Sequence, residues 1–123
     1  MSDEEFEEIV SRALDNLPQK YTSKLDNVAI VIADEPTEEQ RQKLKLRCDQ
    51  TLFGLYEGVP QTARGNNYNL VLPDKITIFK LPITRGKSDE KSLYEQVRHT
   101  LWHEIAHHFG LRHDQIHKLD GTI

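Results

Sequence analysis

Hydrophobic positions near the start of the chain fall at Phe6, Ile9, Val10, Ala13, Leu14 and Leu17. Steps of three and four place them on one stripe of an α-helix. Asp3, Glu4 and Glu5 suit the first turn of such a helix, and Pro18 stands just past its end. A helix is therefore predicted over Asp3–Leu17, with a solvated acidic face. After a polar loop through Tyr21 and Lys24 the pattern changes. Val28-Ala29-Ile30-Val31-Ile32-Ala33 is a continuous apolar, β-branched run, read as a strand buried on both faces and stopped by Asp34-Glu35-Pro36. Thr37 to Cys48 reads as a short helix, with Thr37 and Gln40 forming a capping box.

Leu52 to Pro60 is apolar and punctuated by Gly54 and Gly58, as in a turn and irregular strand. Gln61 to Asn69 reads as loop and Leu70-Val71-Leu72-Pro73 as a short strand. Ile76 to Leu81 alternates clearly, and the following Pro82 suits the edge of a sheet. A loop with Gly86 follows, then Ser88 or Asp89 caps a long helix running to about Phe109. On a helical wheel Tyr94, Leu101, Trp102, Ile105 and Phe109 lie opposite His103 and His107. The first group is core. The second faces a cleft, and His108, nearer the core side, is structural.

Composition narrows the picture. A chain of 123 residues, 37% hydrophobic and 29% charged, is expected to be one domain, 1–123, with a real but small core. A net charge of −4, without a basic stripe, argues against a nucleic-acid partner. No apolar run approaches the roughly 20 residues of a membrane span, and the acidic N-terminus lacks the form of a secretory signal. The single cysteine, Cys48, excludes an internal disulfide and reads as a small buried side chain. The expected location is the cytoplasm.

The chemistry sits in His103-Glu104-Ile105-Ala106-His107-His108-Phe109-Gly110-Leu111-Arg112-His113. On a helix His103 and His107 project from one face, one turn apart, and can share a zinc ion. Glu104 lies about 100° round, out of comfortable ligand position but within reach of a proton on a bound water. Gly110 turns the chain out of the helix, so that His113 returns as a third ligand. Three protein ligands and a water make up a catalytic zinc site, one ion per chain. His99 and His103 are also four apart, but no glutamate follows His99, nor do a glycine and third histidine follow at matching offsets. Imidazoles accept cobalt, nickel or copper as well. With Glu104 as general base and then acid, the constellation suits hydrolysis of a peptide bond. Strand Ile76–Leu81 is a candidate for strand addition by an extended peptide.

His103-Glu104-x-x-His107-x-x-Gly110-x-x-His113 is similar to the long zinc-binding consensus of metzincin-type metallopeptidases. More narrowly, the chain from about Val28 onward resembles the small bacterial zincin-like metallopeptidases. The similar segments are Gly54-Leu55-Tyr56-Glu57-Gly58-Val59-Pro60, Arg64-Gly65, Leu72-Pro73-Asp74-Lys75-Ile76-Thr77-Ile78 and His103 to Gly110. The resemblance implies an α+β, zincin-like fold, a small mixed β-sheet packed on the N-terminal helix and the long active-site helix. It implies zinc at His103, His107 and the residue three after Gly110, with Glu104 catalytic. That family often has Asp in the third place, so His113 departs toward the metzincin pattern.

Two readings compete. The first is a zinc-dependent metallopeptidase acting on a peptide or protein substrate. The second is a low-turnover zinc-binding module that works through a peptide or protein partner. The intact Glu104 favours the enzyme. The only methionine is Met1, so the methionine turn of metzincins is missing, and ten residues follow His113. That favours the module, or an enzyme whose cleft is completed by a dimer or a partner. A third reading, a chance motif on an unrelated α+β protein, predicts no stoichiometric metal.

Overall fold

The computed structural model describes residues 1–25, 28–47, 53–58, 74–85 and 89–111, and side chains in all of these except 43–47. The elements are α1 (Asp3–Asp15), α2 (Gln19–Thr22), β1 (Val28–Ala33), α3 (Glu38–Arg47), β2 (Gly54–Glu57), β3 (Asp74–Phe79), α4 (Lys80–Arg85) and α5 (Glu90–His108). The predicted strand at Leu70–Pro73, the predicted loop at Gln61–Asn69 and Cys48 lie outside the described residues.

The predicted helix starts have their caps. Ser2 Oγ accepts from the Glu5 N–H, and the Glu5 carboxylate accepts from the Ser2 N–H. That second bond, above all, holds the Glu5 carboxyl below its ordinary value. Thr37 and Gln40 form the same reciprocal box at the start of α3. At α5, Asp89 Oδ1 accepts from the Ser92 N–H at 2.7 Å. Replacing this acceptor leaves a first-turn N–H without its cap. Asp89→Ala should therefore lower stability by about 1 kcal/mol, read as a shift in the urea midpoint with an unchanged slope.

The sheet is mixed, with strand order β1-β3-β2. β3 runs parallel to β1 and antiparallel to β2. The alternating run that its proline had marked for an edge is therefore the central strand. Strand structure stops at Phe79, and Lys80 to Arg85 form α4. Pro82 falls in the first turn of α4, where backbone N–H groups have no helical acceptor, so proline costs no bond there. With β1 and β2 on either side, β3 has no edge to offer a peptide. β1 also departs from expectation: it is half-buried along most of its length, and Val31 is 38% exposed. Only Val28, Ile30 and Ile32 pack on the main core, on one face.

That core joins three elements. Phe6, Ile9, Val10 and Ala13 of α1 meet Leu93, Val97, Leu101, Trp102 and Ile105 of α5, and both meet Tyr56, Ile76 and Ile78 of the sheet. Leu55 and Phe79 are buried on the opposite sheet face. At the surface Arg12 pairs with Glu90 at 3.0 Å, a modest contribution for exposed partners, and the buried Lys80 reaches the exposed Asp3 at 2.7 Å. The architecture is α+β. Among the described residues, no helix is long and apolar enough to cross a membrane.

Candidate metal centre

α5 carries the site because its ends are well defined and its middle is buried. Asp89 caps its start, and after His108 the chain leaves through Gly110, whose φ of 77° is the left-handed conformation that glycine adopts without strain. Leu101, Trp102 and Ile105 are buried on the core side as expected, and Tyr94 and Phe109 are half-buried there. Trp102 packs against Tyr21, ring centroids 4.9 Å apart.

The opposite face is less open than the helical wheel implies. His103 and Glu104 are each 2% exposed, and His107 is half-buried. Strand β2 lies against this part of the helix at Thr100 and Glu104. A Cβ on Gly54 would come within 2.6 Å of Thr100 Cγ2 and 3.4 Å of Glu104 Cγ, so strand and helix meet at a distance that glycine permits. Sequence spacing alone does not show which strand crosses this face, which is why a cleft was expected here.

His103, Glu104 and His107 converge. One ligand atom from each lies within 4.8 Å of the other two, and the two imidazole rings sit with centroids 4.9 Å apart at 75°. Glu104 Oε1 also accepts the backbone N–H of Tyr56 at 2.9 Å. Two imidazole nitrogens beside a carboxylate form a donor set of borderline softness that fits zinc. His113 lies outside the described residues. His108 stands apart from this group: it is fully buried, with Nδ1 3.2 Å from Asp74 Oδ2. That is the structural role its wheel position predicted.

Tyr56 and Asp74 were given no role in the sequence. Both are 1% exposed, and the Tyr56 hydroxyl donates to Asp74 Oδ2 at 2.6 Å. Asp74 pairs with a histidine 34 residues away, and Tyr56 holds a carboxylate 48 residues away. Periodicity reports on neighbours along the chain, so neither pairing leaves a signal in it. The one available sign was a carboxylate at the head of a strand that carries Ile76, Ile78 and Phe79.

A search of the curated proteins finds no match for this chain. A family model described as "Zincin-like metallopeptidase" matches residues 25–122, spanning β1 through α5 and the region beyond. The His-Glu-His group lies within that span. The chain belongs to the zincin-like metallopeptidase family.

Proposed function

We propose that this protein is a zinc-dependent metallopeptidase in which His103, His107 and His113 hold the ion and Glu104 is the general base. The observation that supports it most is the convergence of His103, Glu104 and His107 within 4.8 Å on one buried helix face. Zinc bound there supplies Lewis acidity, polarising a carbonyl and making a water acidic near pH 7. The rest falls to the chain. Glu104 takes a proton from the attacking water and passes it to the leaving amine. The Tyr56 N–H holds Oε1, so the carboxylate keeps one orientation through both transfers. Low exposure around it strengthens each of these polar contacts. His107 is the most exposed of the three groups, so substrate enters from its side.

The near-complete burial of His103 and Glu104 favours one second reading, a zinc-binding module of low turnover that acts through a peptide or protein partner. The enzyme reading includes a form whose cleft a second copy or a partner completes.

The first experiment is metal analysis of protein purified without an affinity tag. Wild type is expected to carry about one zinc per chain, and His103→Ala and His113→Ala much less. Wild type that takes up no metal, even after incubation with zinc, sinks both readings. Full zinc in His113→Ala removes His113 from the ligand set.

A further inference from the structure

Behind the metal centre lies a second group of buried polar side chains. Tyr56 comes from β2, Asp74 from the head of β3 and His108 from the end of α5, and their exposures are 1%, 1% and 0%. Asp74 Oδ2 accepts the Tyr56 hydroxyl at 2.6 Å and lies 3.2 Å from His108 Nδ1. The Tyr56 and His108 rings meet edge to face, centroids 5.7 Å apart. Gly58 passes so close to Asp74 that a Cβ there would run into its carboxyl group. Buried polar groups are costly unless paired, and here they pair with one another. Tyr56 also faces the other way, because its backbone N–H donates to Glu104 Oε1 at 2.9 Å.

We propose that Tyr56 is a positioning residue for Glu104, and that Asp74 and His108 clamp its side chain for that purpose. β2 is only four residues long and stands beside β3 at one end of the strand order. Sheet pairing fixes one side of so short a strand. The anchored hydroxyl adds a second fixed point, set apart from the backbone by the length of the ring. Between these points the Tyr56 peptide group cannot tilt, so its N–H stays aimed at Glu104. His108 directly follows His107, so the same clamp braces the helical turn that carries a proposed zinc ligand. This assignment rests on Glu104 being the base.

Tyr56→Phe tests it, because it removes the hydroxyl and keeps both ring and amide. The first readout is the amide proton of residue 56 in ¹⁵N-labelled protein, zinc-free and zinc-loaded. Its bond to a carboxylate places it downfield and slows its exchange, and Glu104→Gln identifies that contribution. In Tyr56→Phe the resonance is expected to move upfield and exchange faster. The second readout is kinetic: kcat falls about tenfold or more with KM unchanged. Asp74→Ala, which removes the Oδ2 that both Tyr56 and His108 contact, is expected to do the same and serves if Tyr56→Phe does not fold. His108→Asn can set a donor where Nδ1 lies and is expected to keep both readouts near wild type, whereas His108→Leu is expected to change them as Tyr56→Phe does.

An unchanged residue 56 amide in Tyr56→Phe and Asp74→Ala overturns the proposal, even if both unfold more easily, because that is the result of a merely structural network. Unchanged kcat in an active enzyme also overturns it. The amide measurement needs neither metal nor turnover. Failure of the peptidase reading is seen separately, as wild type without zinc or without hydrolysis.

Discussion

Glu104→Gln is expected to reduce peptide hydrolysis about 10²–10⁴-fold while the protein still takes up zinc. Glutamine matches glutamate in shape, and its carbonyl oxygen can still accept the Tyr56 N–H that Glu104 Oε1 accepts at 2.9 Å. His103 and His107 are untouched. What disappears is the capacity to take a proton, so the loss should appear in kcat. Burial makes the substitution informative, because at 2% exposure no solvent molecule easily replaces the missing base. Hydrolysis of a peptide library by wild type and variant, with zinc content measured on both, checks this. A variant that keeps most of the wild-type turnover ends the general-base assignment. A variant that loses its zinc would make Glu104 a ligand, and wild type that binds zinc without hydrolysing any peptide would favour the binding module.

The second large effect concerns stability. Phe6→Ala should cost about 3–5 kcal/mol, the usual range for removing a buried aromatic ring. Phe6 is fully buried in the core that α1 shares with α5 and the sheet. It lies in a helix with no second anchor of its size: Ile9, Val10 and Ala13 are the other buried positions of α1. Net stability of a small domain is about 5–15 kcal/mol, so one ring carries a large share of it. For a chain of 123 residues the loss corresponds to a Tm lower by roughly 10–20 °C. Thermal unfolding of metal-free wild type and variant measures it without interference from ligand binding. A drop under about 1 kcal/mol would mean that α1 is only draped over the core. The test matters because α1 precedes the family match at residues 25–122, yet α5 rests its back on it. Loosening α1 should therefore loosen the helix that carries the metal centre.

Some of the fold was readable from local pattern. The apolar stripe of α1 and the Thr37–Gln40 box depend on residues three or four apart, and each is present as expected; of the two cap candidates for α5, Ser88 and Asp89, it is Asp89 that accepts the Ser92 N–H. The His103–His107 pairing is readable for the same reason, since one helical turn brings the rings to 4.9 Å. Strand placement was not. The run Ile76 to Leu81 reads as an edge strand from the Pro82 that follows it, yet β3 is central, because pairing with β1 and β2 depends on the path of the intervening chain. β1 reads as doubly buried, yet Val31 is 38% exposed, for the same reason.

The sequence by itself determined the arrangement of polar groups along the helix: two histidines one turn apart, a glutamate beside the first, and a glycine at the helix end. These are consequences of helical geometry, which any chain that forms the helix must obey. Only the tertiary structure decided what surrounds them. It laid β2 across the helix at Gly54, gave Glu104 the Tyr56 N–H, and closed Tyr56, Asp74 and His108 into one buried group. Those contacts join residues 18 to 50 positions apart. Their partners are chosen by the packing of a shared core, and such choices leave no periodic trace along the chain.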